Sequence, residues 1–167
     1  MKEIISIRLA GSEDIPLIVN LANEIWPITY KDILTPDQLA YMMEMIYSPA
    51  SLRKQMQESR HQFIIIFDET NDLGFASYSP IKAKEVFKLH KIYVLTNQQG
   101  KGLGKRIVDW IIHEITAVGA HALQLNVNRF NKAKQFYEKL GFGVIGEEDI
   151  DIGNGYFMND FIMEKKF

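Results

Sequence analysis

The sequence predicts a mixed α/β fold, because β-rich runs in the middle of the chain are followed by a helical pattern and another strand-like run. The runs are HQFIIIF (61–67), LGFASYS (73–79), EVFKLHKIYVL (85–95) and, after the helix, HALQLNV (121–127). The helical connection, 103–119, is long enough for parallel pairing of the strands on either side of it. At 167 residues the chain has the size of one domain, so we expect a single domain over residues 1–167.

The composition indicates a globular protein and excludes several function classes. Hydrophobic residues make up 47% of the chain and charged residues 24%. The formal net charge of −2 gives no overall positive field, so we expect neither nucleic-acid nor membrane binding. The chain has no cysteine, which excludes disulfides, thiolate metal sites and a cysteine nucleophile, and no metal site is predicted. The first apolar run is too short for a signal peptide, so we expect a cytoplasmic protein.

The run IISIRL (4–9) predicts a first strand. Three helices are predicted after it, each from residues that are typical of a helix N-terminus. Ser12, Thr35 and Ser48 are the predicted caps, because each is followed closely by proline at the head of a helical pattern. Gln38 completes a capping box with Thr35.

Turn and stop signals organise the rest of the chain. The runs 61–67 and 73–79 are joined by the turn sequence DETND and predict a hairpin. The helix that follows the third run is predicted to end at Gly119, and a short helix, NKAKQFYEKLG, is closed by Gly141. The remaining chain predicts a closing hairpin that turns at GNG (153–155).

The segment NQQGKGLGKR (97–106) is rich in glycine and basic residues where a strand gives way to a helix. The first N–H groups of a helix have no partner within it and favour an anion. A Walker phosphate loop does not fit, since Arg106 follows Lys105, and a dinucleotide fingerprint lacks its last glycine. A helix start that binds nothing is the alternative on spacing alone.

The pattern Q-x-x-G-x-G does fit this segment, and it resembles the pyrophosphate-binding motif of the GNAT N-acetyltransferase superfamily. Its residues here are Gln99, Gly100, Lys101, Gly102, Leu103 and Gly104. Further on, NVNRFNKAKQFYEKLGF (126–142) resembles the next strand and helix of that family, so the similarity runs from about Leu89 to Phe142. The segments ANEIWPITYKDIL and GYFMNDFIMEK resemble a bacterial branch, some of whose members acetylate polyamines.

The resemblance implies a fold and a coenzyme. The fold is a central, mostly antiparallel, twisted sheet of six to seven strands, with helices on both faces and one parallel pair splayed around the coenzyme. The coenzyme is acetyl-CoA, held by the glycine motif and Lys105. Asn126 and Asn131 match positions that contact the pantetheine arm in relatives, although Asn131 is equally suited to cap a helix. Backbone amides of Ile92, Tyr93, Val94 or Leu95 are the implied donors to the developing oxyanion.

Two basic stretches support a polyanionic ligand independently of the resemblance. They contain no acid, and their basic residues are Lys101, Lys105 and Arg106 in 97–108, and Arg129, Lys132 and Lys134 in 128–137. If the strands before them pair side by side, both stretches face a ligand with several phosphates, as coenzyme A has. Two solvated helix starts rich in lysine are the alternative.

Acetyl transfer from a thioester to an amine needs a neutral amine, a stabilised oxyanion and a proton for the thiolate. Tyr137 matches the tyrosine thought to protonate the coenzyme sulfur in the family, and it is the predicted general acid. A core aromatic is the alternative, because Phe136 and Leu140 share its helical face. His90 is the predicted general base, at a position where several family members carry glutamate, with a structural histidine as the alternative.

The acceptor pocket is expected to draw on Trp26, Tyr30 and the loop near EEDIDIGNGY (147–156). The acids of that loop suit a cationic amine such as a polyamine, unless they are simply solvated. We therefore predict an acetyl-CoA-dependent N-acetyltransferase for a small-molecule or peptide amine. A non-catalytic acyl-CoA sensor or scaffold is the alternative. The sequence leaves the oligomeric state open, and a homodimer is one possibility.

Overall fold

The computed structural model of the protein describes residues 3–83 and 85–167. Within them the chain forms seven strands and five α-helices. The strands are β1 (Ser6–Ala10), β2 (Gln62–Phe67), β3 (Asp72–Lys82), β4 (Val86–Val94), β5 (Ala122–Asn128), β6 (Gly143–Gly153) and β7 (Tyr156–Lys166). The helices are α1 (Ile15–Thr29), α2 (Pro36–Tyr47), α3 (Pro49–Gln57), α4 (Leu103–Thr116) and α5 (Ala133–Lys139).

The strands form one sheet in the order β1-β2-β3-β4-β5-β7-β6. The pairs β1–β2, β2–β3, β5–β7 and β6–β7 are antiparallel. Strands β4 and β5, which flank α4, are parallel, with residues 86–89 beside residues 122–125. The predicted mixed fold, mostly antiparallel with one parallel pair, is therefore confirmed.

The chain divides into two compact units. The first unit comprises the residues up to Ser79 together with Lys91–Trp110, and the second comprises Pro80–His90 and Ile111–Phe167. In the first unit the predicted caps of α2 and α3 are confirmed, because Thr35 Oγ1 accepts from the amide of Gln38 at 3.2 Å and Ser48 Oγ accepts from that of Ser51 at 3.3 Å.

The predicted cap at Ser12 is wrong. Ser12 begins a short 3-10 turn, and α1 begins at Ile15 with Asp14 in the position before it. The Asp14 carboxylate accepts from the amide of Gly11 at 3.0 Å and from the guanidinium of Arg8 at 2.7 Å. The bond from Arg8 also lowers the pKa of the Asp14 carboxyl. An arginine on β1 thus determines where the chain turns into the helix.

In the second unit, β7 lies between β5 and β6. Asp160 on β7 stands opposite Asn128 of β5 on one side and opposite Glu148 of β6 on the other. The predicted GNG turn is confirmed, since Asn154 and Gly155 have φ angles of 54° and 79°, as a tight hairpin turn requires. The predicted helix stops Gly119 and Gly141 also have positive φ angles, 98° and 99°.

Apolar side chains fill the core of each unit. Fully buried members in the first unit are Ile18, Ile25, Leu52, Phe63, Ile65, Phe75 and Ile107, and in the second unit Ile111, Leu123 and Met163. Among the described residues, no helix is both long and apolar enough to cross a membrane.

Candidate active site

The predicted glycine turn, residues 99–104, lies in the first unit between β4 and α4. Gly100 and Gly102 have φ angles of 81° and 78°, in the left-handed region that favours glycine. A Cβ built on either residue meets no described atom within 4 Å. The glycine turn therefore presents bare main chain to open space, where a ligand can approach the backbone closely.

Helix α4 begins directly after this turn. Leu103 is buried and fixes the first residue of the helix in the core of the first unit. The amide of Arg106 donates to the carbonyl of Gly102 at 3.1 Å, which closes the first helical turn. The amides of Leu103, Gly104 and Lys105 precede that bond and have no partner within the helix. Three main-chain donors and the positive helix end thus point the same way, an arrangement that favours an anion.

The lysines of the glycine turn have polar partners nearby. Lys105 forms an exposed ion pair with Asp109 at 2.6 Å, one helical turn further along α4. Lys101 donates to the side-chain oxygen of Gln98 at 3.1 Å. Exposed pairs of this kind contribute little free energy, so a bound phosphate would compete for these lysines at small cost.

The basic stretch of the second unit meets acids that are distant in sequence. Arg129 pairs with Asp149 at 2.9 Å and lies 3.7 Å from Glu147, both on β6. Lys134 pairs with Glu138 at 3.4 Å within α5. Much of the positive charge that the sequence shows without an acid is therefore already neutralised.

The end of β4 orients the predicted oxyanion donors. The amide of Leu95 donates to the carbonyl of Leu73 on β3 at 2.9 Å and is therefore already used. A Cβ on Gly74 of β3 would overlap the carbonyl oxygen of Tyr93. The carbonyl group of Tyr93 therefore also points towards β3. Peptide groups alternate in direction along a strand, so the amides of Ile92 and Val94 point away from β3. Ile92 and Val94 are thus the better placed of the predicted donors.

The predicted acceptor residues Trp26 and Tyr30 belong to an aromatic cluster in the first unit, which is buried except for the half-buried Tyr93. Its members are Trp26, Tyr30, Tyr47, Phe75 and Tyr93, with ring centroids 4.5 to 5.9 Å apart in the contacting pairs. Trp26 Nε1 donates to the hydroxyl of Tyr47 at 2.9 Å, and the hydroxyls of Tyr30 and Tyr93 are also 2.9 Å apart. Burial raises the pKa of Tyr47 well above its ordinary value. The cluster supplies a rigid apolar wall with its polar atoms already bonded.

Lys91 on β4 is a buried cation that the sequence reasoning missed. Its side chain donates to Gln55 Oε1 on α3 at 2.6 Å and lies 5.5 Å from the centroid of the Phe63 ring. Only 8% of the residue is exposed, and burial lowers its pKa from 10.5 to about 8. The sequence did contain a signal for this burial. Lys91 lies between Leu89 and Tyr93, and side chains two residues apart on a strand share one face.

The second unit contains the predicted acid and base. Tyr137 is 8% exposed and packs its ring against those of Phe136 and Phe142, at centroid distances of 5.2 and 5.8 Å. His90 shares a face of β4 with Lys88, because side chains alternate along a strand. Lys88 stands beside Gln124 of β5 in the parallel register. His90 therefore lies on the polar face of this part of the sheet.

The two predicted pantetheine contacts, Asn126 and Asn131, are engaged within the second unit. The amide nitrogen of Asn126 donates to Glu148 Oε2 at 3.1 Å and to Asp160 Oδ2 at 3.3 Å. The side-chain oxygen of Asn131 accepts from the amide of Ala133, the first residue of α5, at 2.9 Å. Asn131 thus bonds to the first amide of α5 from one position outside the helix cap, which is Lys132.

The structure groups the predicted residues by unit. The first unit brings together the glycine turn, the end of β4 and the aromatic cluster. The second brings together His90, Asn126, Asn131 and Tyr137.

Comparisons with known proteins give consistent matches. A family model described as an acetyltransferase (GNAT) domain matches residues 30–158. A spermidine N(1)-acetyltransferase of Thermoplasma acidophilum is 28% identical over 168 residues and covers 98% of either chain. An L-methionine sulfoximine/L-methionine sulfone acetyltransferase of Pseudomonas aeruginosa is 28% identical, over 85% of this chain and 82% of its own. The solved structure of the PaiA N-acetyltransferase of Thermoplasma acidophilum, in complex with coenzyme A, has a TM-score of 0.82 at 27% identity, covering 98% of this chain and 99% of its own.

Proposed function

The chain belongs to the acetyltransferase (GNAT) domain family, and from this premise we propose that it transfers an acetyl group from acetyl-CoA to a primary amine by direct attack. Tyr137 is the general acid and His90 the general base of this proposal, which treats residues 1–167 as one domain. The observation that carries it is the glycine turn, whose bare main chain leads into the first amides of α4, which have no partner within the helix.

The glycine turn binds the coenzyme in this proposal. The amides of Leu103, Gly104 and Lys105 donate to the diphosphate, and Gly100 and Gly102 keep the approach free of side chains. Lys101 and Lys105 add positive charge. Acetyl-CoA supplies an acyl group activated as a thioester, and the amides of Ile92 and Val94 donate to the carbonyl oxygen on which negative charge develops.

Proton movements are assigned to two side chains. An alkyl amine with a pKa near 10 is only about one part in a thousand neutral at pH 7, so a base must help to remove its proton. A histidine titrates in the neutral range, which suits His90 to that step, directly or through a water molecule. A tyrosine phenol is ordinarily protonated at neutral pH, and in this proposal Tyr137 donates its proton to the departing thiolate.

The acceptor in this proposal is a small-molecule amine such as a polyamine, with a peptide amine as the other class. The spermidine acetyltransferase that covers 98% of this chain supports the polyamine class. Trp26 and Tyr30 contribute the apolar wall of the aromatic cluster. Because they are buried and their polar atoms are bonded within that cluster, they support the shape of the pocket and do not bond to the charge of the acceptor.

The test is release of free thiol from acetyl-CoA in the presence of a panel of amines. We expect release above the amine-free rate with at least one panel member among spermidine, methionine sulfone and a peptide with a free N-terminus. Measurable binding of coenzyme A with no amine-dependent release from any of them would contradict the proposal and favour a sensor.

A further inference from the structure

Two amide–carboxylate pairs join β5 to β7 on one face of the second unit. Gln124 Nε2 donates to Glu164 Oε2 at 2.7 Å. Two residues further along β5, and so on the same face, Asn126 donates to Asp160 at 3.3 Å. In the second pair the same amide nitrogen also donates to Glu148 on β6, at 3.1 Å. One amide group thus serves two carboxylates, Glu148 and Asp160, which we call the carboxylate pair.

One carboxylate oxygen of Asp160 lacks a hydrogen-bond donor although the residue is buried. The residue is 5% exposed, and its Oδ1 atom is buried with no hydrogen-bond partner among the described residues. Burial raises the pKa of its carboxyl, the neighbouring charge of Glu148 raises it further, and the bond from Asn126 opposes both effects. A buried carboxylate with too few donors is unfavourable unless a charged donor joins it.

The cations of the second unit do not supply that donor. Lys88 and Arg129 both lower the pKa of Asp160 through their charges. Among the described residues, however, neither forms an ion pair with Asp160 within 4.0 Å. Arg129 pairs through Nη2 with Asp149 and Glu147, whose side chains leave β6 on the opposite side from Glu148. Its Nε atom is buried and, among the described residues, has no hydrogen-bond partner. The carboxylate pair therefore forms no direct ion pair among the described residues.

We propose that the carboxylate pair, with Asn126 between its members, binds an ammonium group of the acceptor. The inference rests on the proposed acetyl transfer and gives the acceptor as a linear di- or polyamine, of which one ammonium is bound here while another amine reacts. An ammonium group brings one positive charge and three N–H donors, which is what the pair lacks. Glu148 is exposed, so the ammonium group would meet it first, and Asp160 is the buried member of the pair.

The other acids of the loop near residues 147–156 have different partners. Glu147 and Asp149 face Arg129, and Asp151 accepts from the amide of Gly153 at 2.9 Å. Of the acids in this loop, Glu148 is therefore the one that we assign to binding a cationic acceptor, together with Asp160 from β7.

The test measures spermidine binding to the full chain by titration calorimetry, without acetyl-CoA. Asp160→Asn keeps the shape of the side chain and removes its charge, and we expect it to weaken binding by about 10-fold or more, with a smaller loss for the exposed variant Glu148→Gln. Glu164→Gln is the matched control, since it removes the same charge from the same face of β7. We expect its affinity to stay within about 2-fold of the wild type.

The outcomes separate this inference from the proposed transfer. Equal affinity in the wild type and both carboxylate-pair variants would overturn the inference, as would an equal loss in Glu164→Gln, which would reflect net charge alone. Thiol release with other amines would leave the transfer standing in that case. Spermidine binding that depends on Asp160, without thiol release from acetyl-CoA, would support the site and overturn the transfer.

Discussion

The hydroxyl oxygens of Tyr30 and Tyr93 lie 2.9 Å apart and join the end of α1 to β4 within the first unit. Tyr30→Phe removes this bond and keeps the ring contacts, so we expect a loss of about 1 kcal/mol in the free energy of unfolding. Tyr47→Phe should cost more, about 2 kcal/mol, because it leaves the buried N–H of Trp26 without its acceptor. Urea unfolding measures both, and the reverse order would contradict this account of the aromatic cluster.

Tyr137→Phe should lower the turnover number roughly 10- to 1000-fold with little change in coenzyme affinity, because it removes only the proposed acid. The ring contacts with Phe136 and Phe142 are kept, so the variant should retain the fold. Steady-state kinetics and coenzyme titration provide the two readouts. Tyr78→Phe, another buried tyrosine, serves as the control. An unchanged turnover number would leave Tyr137 as a core aromatic.

Gly102→Val should weaken coenzyme A binding by about 10-fold or more, because it places a side chain over the phosphate-facing backbone. Valine at this positive φ angle also strains the backbone, so a control variant must separate the effect of strain from the effect on binding. Gly119→Val, at the other end of α4, imposes a similar strain at a φ of 98° with equally open space. Isothermal titration should show normal affinity for Gly119→Val. Similar affinity losses in the two variants would assign the effect to folding.

Lys91 should make stability rise with pH above neutrality. Its pKa of about 8 in the folded protein is below the ordinary 10.5. Between these pH values the unfolded chain binds a proton that the folded protein has released, so the free energy of unfolding increases as pH rises. Below pH 8 both states carry the proton, and the buried charge opposes folding.

Lys91→Met removes this titration, so the stability difference between the wild type and the variant should shift in favour of the wild type by at most about 3 kcal/mol from pH 8 to pH 10.5. Urea unfolding at several pH values measures that difference. Parallel stability curves for the two proteins would contradict the burial of a charged Lys91.

Local signals in the sequence were sufficient for much of the fold. Thr35 and Ser48 each cap a helix through a bond to a residue three positions on, so the sequence spacing contains the whole interaction. The turn at Asn154 and Gly155 was predictable for the same reason, because positive φ angles select these residue types. The glycine turn was predictable from both the spacing of its residues and the preference of glycine for positive φ angles.

Long-range pairing could not be predicted from spacing. Asn126 meets Glu148 and Asp160 only because β7 lies between β5 and β6 in one particular register, and a shift of one residue would turn these side chains to the other face. Ser12 failed as a cap for a related reason, since Arg8 on the preceding strand holds Asp14 in that place.

A crystal structure of the protein with acetyl-CoA tests the central claim most directly. The account predicts diphosphate oxygens within about 2.7–3.2 Å of the amide nitrogens of Leu103, Gly104 and Lys105, over Gly100 and Gly102. A coenzyme bound elsewhere, with the glycine turn free of phosphate, would contradict it.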